Sequence, residues 1–289
     1  MNKPIIGVIE LAAKLASGEK ILIADCRFDP SSPDAGRMAY DRGHIPGAHY
    51  LHLDEDLAAP MGTTGGRHPL PAVEDFTELM CSLGVDMDTL IVAYDGGGLA
   101  AAARLWWLAR YFGHAKVVVL DGGLAAWVAA EQSLDEEPAV VARGNFSARI
   151  DDSLRVDFDT LLHNEGSPLL IDTRDALRYA GAEEAVDPIP GHIPGAINVP
   201  FMDSIGENGL LLDAKTLREY WAWLEDSVQP PVVYCGSGVT AFVTALALEV
   251  AGVDDVRLYP GSWSDWCQRG GAIATGQGTS DVNPIASAT

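Results

Sequence analysis

The stretch RGHIPGAHYL at residues 42–51 returns, 148 residues later, as PGHIPGAINV at residues 190–199. Three further blocks repeat in the same order: ILIADCR (21–27) as LLIDTRD (169–175), IVAYDGGGLAAA (91–102) as VVYCGSGVTAFV (232–243), and LDGGLAAW (120–127) as YPGSWSDW (259–266). Similar segments at a nearly fixed offset indicate a duplicated domain. We therefore expect one domain at residues 1–134, a linker at 135–154 and a second domain at 155–289.

Composition and charge restrict the kind of protein this is. The 289 residues are 48% hydrophobic and 21% charged, which is typical of a folded chain with a core. Against 41 acidic residues stand 19 Lys and Arg, and the formal net charge of −22 argues against nucleic acid and anionic membranes as partners. We expect no signal peptide and no transmembrane segment, because neither pattern is present. Four widely spaced cysteines without a CxxC pair favour a reducing compartment, the cytoplasm.

Both halves alternate short β-branched runs with helical patterns. The runs that predict buried strands are ILIAD (21–25), LIVAYD (90–95), KVVVLD (116–121), PLLID (168–172), PVVYCG (231–236) and VRLY (256–259). Helical patterns lie between them, at residues 71–84, 214–226 and 239–251. This alternation predicts an α/β fold in which each half is a mostly parallel sheet flanked by helices.

The loop after the central strand differs between the halves. The second half reads Tyr234-Cys235-Gly236-Ser237-Gly238-Val239-Thr240 where the first reads YDGGGLA at residues 94–100. Glycines at a strand-to-helix turn allow the backbone N–H groups of residues 236–241 to point at the thiol of Cys235. Such a nest lowers a thiol pKa and stabilises an anion, so we predict that Cys235 is a nucleophile. Asp95 occupies the equivalent position in the first half.

Other conspicuous residues have structural interpretations. His44 and His192 lie beside the tight turn of each HIPGA block, where a histidine usually anchors loop backbone. Cys26, Cys81 and Cys267 lack a glycine loop, and we expect them to be packing residues. No His, Cys or carboxylate spacing suits a metal, and no nucleotide-binding motif is present, so we predict no metal and no cofactor.

Several of these motifs together resemble one known family. CGSGVT, the two HIPGA blocks, the DG-x-x-x-x-W block (Asp121–Trp127) and GSWSDW (261–266) are similar to those of the tandem-rhodanese sulfurtransferases, whose members use thiosulfate or 3-mercaptopyruvate. The resemblance covers nearly the whole chain. It implies two rhodanese-like domains, of which only the second is catalytic. It also implies a persulfide on Cys235, formed from a small-molecule donor and passed to cyanide or to a thiol such as reduced thioredoxin.

The resemblance also suggests roles for individual residues. Cys235 and Ser237 are the predicted catalytic residues; Ser237 donates to the sulfur or moves a proton, with a helix N-cap as the alternative. Arg178 is expected to bind the anionic group of the donor, because only arginine grips a carboxylate or sulfonate with two parallel N–H groups. A surface salt bridge is the alternative for Arg178. The remaining predicted substrate-binding residues are Gly236, Gly238, Val239 and Thr240. In the mercaptopyruvate enzymes a proton relay has been assigned to the histidine that corresponds to His44, and this role is left open.

The choice of donor stays open at this point. A loop of small uncharged residues resembles the mercaptopyruvate enzymes, whereas thiosulfate-preferring relatives place cations in the loop. The mercaptopyruvate enzymes usually carry a second arginine shortly before HIPGA, but this chain reads AVDPIP at residues 185–190. We expect 3-mercaptopyruvate to be the donor, with thiosulfate as the alternative.

Two rival functions make different demands on the sequence. A phosphatase with a Cys-x5-Arg loop needs arginine six residues after Cys235, and Ala241 stands there. A non-enzymatic sulfur-binding or scaffold module would not need an intact Cys235 loop.

Overall fold

A computed structural model describes residues 3–163 and 168–277. The ends of the two predicted domains, residues 1–2 and 278–289, and residues 164–167 lie outside the described residues. Contacts divide the chain into two compact units. The first comprises residues 1–60, 70–151 and 207–210, and the second comprises residues 61–69, 152–206 and 211–289. The predicted boundaries at 134 and 155 stay a prediction.

The first unit is built on a five-stranded sheet in which every pair is parallel. Its strands are β1 (Ile5–Ile6), β2 (Ile21–Asp25), β3 (Ala48–Tyr50), β4 (Leu90–Tyr94) and β5 (Val117–Leu120). The spatial order is β1-β5-β4-β2-β3, so β4 lies at the centre. Four of the five residues of β4 are buried, as expected for a strand covered on both faces.

The second unit has a four-stranded, all-parallel sheet. Its strands are β6 (Leu169–Asp172), β7 (Ile197–Asn198), β8 (Pro231–Tyr234) and β9 (Arg257–Leu258), in the order β7-β6-β8-β9. The predicted α/β fold with mostly parallel sheets is confirmed. The sequence signal missed β1, β3 and β7, because strands of two or three residues are too short to show periodicity.

Helices connect the strands in both units. They are α1 (Val8–Ser17), α2 (Ala35–Asp41), α3 (Val73–Ser82), α4 (Ala100–Tyr111), α5 (Gly123–Ala129), α6 (Phe158–Leu162), α7 (Ala176–Ala180), α8 (Ala214–Tyr220), α9 (Ala241–Ala251) and α10 (Ser262–Gln268). Short 3-10 helices occupy Asp152–Leu154, Phe201–Ser204 and Ala222–Asp226. Helix α9 is buried on nearly every side, which explains its almost wholly apolar sequence.

Two predicted helices have different bounds in the structure. The helix predicted at 239–251 begins at Ala241, because the preceding residues turn their N–H groups toward Cys235. The helix predicted at 214–226 ends at Tyr220 and continues as a 3-10 helix, in which the Leu224 N–H donates to the Trp221 carbonyl at 2.9 Å. Both of these side chains are buried, and the tighter turn places them on the same face.

A buried arginine–aspartate pair recurs in each unit at the end of a central strand. Arg174 makes two-pronged hydrogen bonds to Asp172, at 2.6–3.2 Å, and donates to the Gly191 carbonyl at 2.7 Å. In the first unit, Arg27 and Asp25 repeat these contacts, and Arg27 donates to the Gly43 carbonyl at 2.9 Å. Each pair therefore ties a strand end to the start of a HIPGA turn.

The HIPGA histidines lie inside the same network. His44 stacks on the Tyr40 ring at 3.9 Å, with its Nδ1 2.9 Å from the Tyr40 carbonyl and its Nε2 3.2 Å from the Glu137 carbonyl. His192 stacks in the same way on Tyr179 at 3.8 Å. Burial lowers the pKa of His192, which favours a neutral ring. These contacts support the interpretation of both histidines as anchors of loop backbone.

The predicted linker contains no strand or helix longer than one 3-10 turn among its residues 135–154. Its N–H groups nevertheless donate to the first unit: Gly144 to the Cys81 carbonyl at 2.8 Å and Arg149 to the Phe112 carbonyl at 2.9 Å. Phe146 is buried. Residues 135–151 of this segment therefore belong to the first unit.

The burial of α9 predicts how the second unit responds to truncation. Leu246→Ala should lower the free energy of unfolding by about 2–5 kcal/mol, because it removes a side chain with no solvent exposure. Leu162→Ala, at a residue of α6 that is 46% exposed, is the matched control and should change it by less than about 0.5 kcal/mol. Urea unfolding of the full chain measures both. Equal losses in the two variants would contradict this account of the core.

Candidate active site

Cys235 follows directly after β8, and five residues, 236–240, separate it from α9. Its side chain is buried, and its neighbours in the loop, Gly236 to Thr240, have no helix or strand of their own. In an open parallel sheet the carboxyl ends of the strands are the usual location of functional groups. The loop therefore lies where a reactive side chain is expected.

The loop surrounds the sulfur with hydrogen-bond donors. The Gly238 N–H donates to the Cys235 Sγ at 3.2 Å. Further hydrogen bonds to the sulfur come from the Thr240 hydroxyl and the backbone N–H groups of Ala241, Val239 and Ser237. Burial by itself raises the pKa of the Cys235 thiol, but these donors favour the thiolate more strongly and the pKa is lowered below its ordinary value. The site can hold an anion on a buried sulfur atom.

The backbone path requires glycine at 238. This residue has a φ of +70°, in the left-handed region that favours glycine. A Cβ there would also collide with the carbonyl oxygen of Pro260. A side chain at 238 would displace an N–H group that donates to the sulfur.

The N-terminal part of α10 fixes the loop from the other side. The Trp263 N–H donates to the Cys235 carbonyl at 3.0 Å, and the Ser264 N–H donates to the Gly236 carbonyl at 2.9 Å. The Ser262 hydroxyl oxygen accepts from the Cys235 N–H at 3.2 Å and lies 4.0 Å from its sulfur. The GSWSDW block thus holds the Cys235 loop through backbone hydrogen bonds.

Arg178 lies beside this loop, within a group of charged side chains. Its Nε and Nη2 donate to Glu184 at 3.0–3.2 Å, and its Nη2 donates to Asp187 at 2.9 Å. A Cβ placed on Gly236 would lie 3.3 Å from Arg178 Nη2 and 3.4 Å from Nη1. The guanidinium therefore contacts the residue next to Cys235, and its salt bridges hold it there.

A second arginine that sequence analysis did not single out reaches the same place. Arg67, from a segment that packs in the second unit, forms an ion pair with Asp187. Its Nη2 would lie 3.1 Å from a Cβ on Gly236. Its position in the TTGGRHP stretch, far along the chain from Cys235, gave no pattern that could have revealed this contact.

Comparisons with known proteins agree with this geometry. The family model of the rhodanese-like domain matches the chain twice, at residues 8–130 and 156–269. A probable 3-mercaptopyruvate sulfurtransferase of Pseudomonas aeruginosa is 42% identical over 89% of this chain and 92% of its own length. A putative thiosulfate sulfurtransferase of Mycobacterium tuberculosis is 37% identical over 91% of this chain and 93% of its own length. The chain belongs to the tandem-rhodanese sulfurtransferases.

A solved structure supports the same assignment. The crystal structure of SseA from Escherichia coli, described as showing the rhodanese fold of 3-mercaptopyruvate sulfotransferases, is similar with a TM-score of 0.78 and 34% identity. The likeness covers 91% of this chain and all of that one. The family predicted from CGSGVT and the repeated blocks is confirmed, and this sulfurtransferase has two rhodanese-like domains.

The first rhodanese-like domain contains the same loop with a carboxylate in place of the thiol. Asp95 is buried, and its Oδ1 accepts from the N–H groups of Gly97 at 2.9 Å and Leu99 at 3.0 Å. Its Oδ2 accepts from the Ala102 N–H at 3.4 Å. The N–H groups of this loop therefore already have an acceptor in a side chain of the protein itself. Since a carboxylate has no nucleophilic sulfur, this loop cannot carry a persulfide.

The surroundings of two other cysteines act on the thiol pKa in the opposite direction. Burial, together with Asp25 and Asp95, raises the pKa of Cys26 well above its ordinary value. Burial also raises the pKa of Cys267. These surroundings disfavour the thiolate at Cys26 and Cys267, whereas those of Cys235 favour it.

The predicted site residues lie together around the sulfur, with some differences in their contacts. Ser237 reaches the sulfur through its backbone N–H, and Thr240 does so through its hydroxyl. The part of Ser237 in proton transfer stays a prediction. Thr240 is also the residue before α9, but its side chain makes no capping hydrogen bond.

Within residues 3–163 and 168–277, no group of three His, Cys, Asp or Glu side chains could hold a metal ion.

The hydroxyl of Thr240 provides a test of this electrostatic account. Thr240→Val should raise the pKa of Cys235, because it removes a hydrogen bond that favours the thiolate. Alkylation by iodoacetamide should then reach half its maximal rate at a higher pH, since only the thiolate reacts.

Thr244→Val is the matched control. Thr244 lies one turn further along α9, is fully buried, and its hydroxyl has no hydrogen-bond partner among the described residues. The pH profile of Cys235 alkylation should be unchanged in this variant. An equal shift in both variants, or none in Thr240→Val, would contradict the role of Thr240.

Proposed function

We propose that this sulfurtransferase moves the sulfur of 3-mercaptopyruvate to a thiophilic acceptor through a persulfide on Cys235. One observation carries the proposal: the Cys235 sulfur lies at the focus of the loop N–H groups and has a lowered pKa. This combination favours the thiolate, which is the nucleophilic form of cysteine, and stabilises an anionic product. Cys235 and Ser237 are the proposed catalytic residues.

In the first half of the reaction, the Cys235 thiolate attacks the sulfur atom of 3-mercaptopyruvate. An S–S bond forms and the C–S bond of the donor breaks. The electron pair of that bond stays on carbon, which takes up the proton of the donor thiol, and pyruvate leaves. The negative charge ends on the outer sulfur of the Cys235 persulfide, so the charge balances.

The loop is suited to the persulfide as well as to the thiolate. N–H groups from Ser237, Gly238, Val239 and Ala241 surround the space around the sulfur. Fixed backbone dipoles do not need to reorient when the charge moves outward by one atom. Gly236, Gly238, Val239 and Thr240 therefore form the proposed binding loop for the transferred sulfur.

In the second half, the acceptor attacks the outer sulfur and the Cys235 thiolate is regenerated. Cyanide becomes thiocyanate, and a thiol R–SH becomes the persulfide R–S–SH. We propose a thiol acceptor such as reduced thioredoxin in the cell, which implies a reducing compartment, the cytoplasm. Four free cysteines support this proposal. Among the described residues, no helix has the length and apolar character needed to cross a bilayer.

The donor is proposed from the character of the loop and from the relatives. Gly236, Ser237, Gly238 and Val239 place no cation inside the loop. Several relatives are named 3-mercaptopyruvate sulfurtransferases, among them that of Pseudomonas aeruginosa. Thiosulfate is the second candidate, favoured by the thiosulfate name of the Mycobacterium tuberculosis relative and by two arginines beside Gly236.

The family matches also bear on the domain division. We propose an inactive first domain at residues 1–134, a linker at 135–154 and a catalytic domain at 155–289. The matches at 8–130 and 156–269 support this division, as does Asp95 in the first loop.

A phosphatase and a scaffold are both disfavoured. The position that a phosphatase loop gives to arginine is held by Ala241, which is fully buried at the start of α9. A scaffold would have no need for a lowered pKa at Cys235.

Replacement of the sulfur tests the proposed nucleophile. Cys235→Ser should abolish transfer to cyanide, because a serine hydroxyl is not ionised at neutral pH and forms no persulfide. Cys267→Ser, at another buried cysteine of the same unit, is the control and should retain activity. Thiocyanate formation measures both, and unchanged thermal unfolding shows that each variant is folded. Turnover by Cys235→Ser would disprove the mechanism.

Donor preference and Arg178 are tested on the same preparation. We expect kcat/KM to be higher for 3-mercaptopyruvate than for thiosulfate. Arg178→Lys should raise KM for 3-mercaptopyruvate about tenfold or more, because an ammonium lacks the planar fork that binds Glu184 and Asp187 while Nη1 is left for the donor. An unchanged KM would remove Arg178 from the donor site.

A further inference from the structure

A segment from the first half of the chain packs in the second unit, against α10. Residues 61–69 belong to the second unit, although they lie between β3 and α3 in the chain. Three hydrogen bonds join this segment to α10: the Gly62 carbonyl accepts from the Gln268 side-chain amide at 3.2 Å, the Gly65 N–H donates to Asp265 Oδ1 at 2.8 Å, and the Arg67 N–H donates to Ser264 Oγ at 3.1 Å. We refer to residues 62–67 as the contact segment.

Gly66 lies directly against the start of α10. It is buried, and its φ of +72° is in the left-handed region that favours glycine. A Cβ on Gly66 would collide with the carbonyl oxygen of Gly261 and with the hydroxyl oxygen of Ser264. The Gly261 carbonyl accepts the Asp265 N–H at 3.1 Å, so moving it would disturb the first turn of α10. A side chain at 66 would therefore push the contact segment and α10 apart.

Asp265 of α10 binds the contact segment with a buried carboxylate. The residue is 3% exposed. Its Oδ1 accepts from the Gly65 N–H at 2.8 Å, and its Oδ2 accepts from the Tyr259 hydroxyl at 2.7 Å. The Tyr259 N–H in turn donates to the Val233 carbonyl of β8 at 3.0 Å. One carboxylate thus joins the contact segment to the strand that precedes Cys235.

Ser264 joins the contact segment to the Cys235 loop itself. Its hydroxyl oxygen accepts from the Arg67 N–H, and its own N–H donates to the Gly236 carbonyl at 2.9 Å. The preceding residue, Trp263, donates its N–H to the Cys235 carbonyl at 3.0 Å. A displacement of the first turn of α10 therefore moves the backbone at the start of the loop, and with it the N–H groups that point at the sulfur.

The first unit contains a corresponding contact. Residues 207–210, from the second half of the chain, belong to the first unit. Leu210 lies against Gly122, directly before α5, where a Cβ would collide with the leucine side chain. The Leu124 N–H of α5 donates to the Asp95 carbonyl at 2.8 Å, in the same way that α10 holds the reactive loop. The contact in the first unit is apolar, whereas the one beside the reactive loop is hydrogen-bonded.

We propose that the contact segment is a brace for α10 and, through α10, for the Cys235 loop, with Gly66 and Asp265 as its positioning residues. The inference rests on the proposed function, because it explains how the binding loop of that same site is kept in place. The loop N–H groups must stay aimed at the sulfur while a second sulfur atom is added and removed. Residues that support such groups from behind determine how precisely they are held.

Gly66→Ala gives the first test. It should raise the midpoint of the pH profile of Cys235 alkylation by iodoacetamide by about 0.5–1 pH unit, because a shift of α10 weakens hydrogen bonds to the charged sulfur. The kcat/KM for sulfur transfer should fall about tenfold or more. The matched control is Gly62→Ala in the same segment, where an added Cβ meets nothing within 4 Å, and both quantities should be unchanged. An unchanged midpoint in Gly66→Ala would overturn the proposal.

Asp265 gives the second test, with two variants of equal charge. Asp265→Ala and Asp265→Asn both remove the carboxylate, but only asparagine keeps an oxygen that can accept from the Gly65 N–H. The alkylation midpoint of Asp265→Ala should therefore lie above that of Asp265→Asn by about 0.5 pH unit or more. Thermal unfolding shows that each variant is folded. Equal midpoints in the two variants would contradict the part of this hydrogen bond in the brace.

The effect of nearby charges has to be separated from loss of the brace. Arg67 and Arg178 lie beside Gly236, and their buried partners Glu184 and Asp187 lie next to them. A displaced Arg67 guanidinium would by itself raise the midpoint, because a positive charge favours the thiolate. Gly66→Ala is therefore repeated in an Arg67→Gln background, which lacks the guanidinium and keeps the backbone N–H. The same upward shift is expected there, and no further shift would overturn the brace.

Alkylation does not depend on sulfur transfer, so it separates this inference from the proposed function. If Cys235→Ser kept turnover, the proposed function would fail. If Cys235→Ser was inactive while the alkylation midpoint was unchanged in Gly66→Ala and equal in the two Asp265 variants, only the brace would fail. A loss of turnover in Gly66→Ala without a shift of the midpoint would also count against it, since general destabilisation explains such a loss.

Discussion

A buried thiolate is stable only if hydrogen bonds replace the water it loses, and this requirement shapes the second unit around Cys235. The loop N–H groups and the Thr240 hydroxyl meet it. Their convergence requires glycine at 238 and delays the start of α9 to Ala241. It also requires an external support, which α10 supplies through two backbone hydrogen bonds to the loop. The chemistry and the local fold are thus consequences of one electrostatic constraint.

The first unit shows that the nest is a property of the fold and not of the cysteine. There the same strand-to-helix turn surrounds the Asp95 carboxylate with N–H groups. The buried arginine–aspartate pairs and the stacked tyrosine–histidine pairs also recur in both units. What differs is the group at the focus of the loop. A carboxylate accepts the hydrogen bonds of these N–H groups but has no nucleophilic sulfur, whereas a thiolate accepts the same hydrogen bonds and remains nucleophilic.

Much of the fold could be predicted from the sequence because it depends on local patterns. The β-branched runs became β2, β4, β5, β6, β8 and β9, and the glycine loop after Tyr234 indicated the nest. The short strands β1, β3 and β7 were not predicted, because two or three residues show no periodicity, whereas the equally short β9 lies within the longer run VRLY (256–259). The end of α8 at Tyr220 was not predicted either. The change to a 3-10 helix results from packing of Trp221 and Leu224 and not from a helix-breaking residue.

The sequence by itself determined the duplication, the α/β class and the family, and it indicated the cysteine that we propose as the nucleophile. These follow from repeats, periodicity and one loop, all of which are contiguous in the chain. Only the tertiary structure decided which charges surround the Cys235 loop. The AVDPIP stretch suggested that a second arginine was missing, yet Arg67 lies beside Gly236 and Asp187 joins it to Arg178. Residues so distant along the chain become neighbours through folding, and their interaction leaves no local pattern in the sequence.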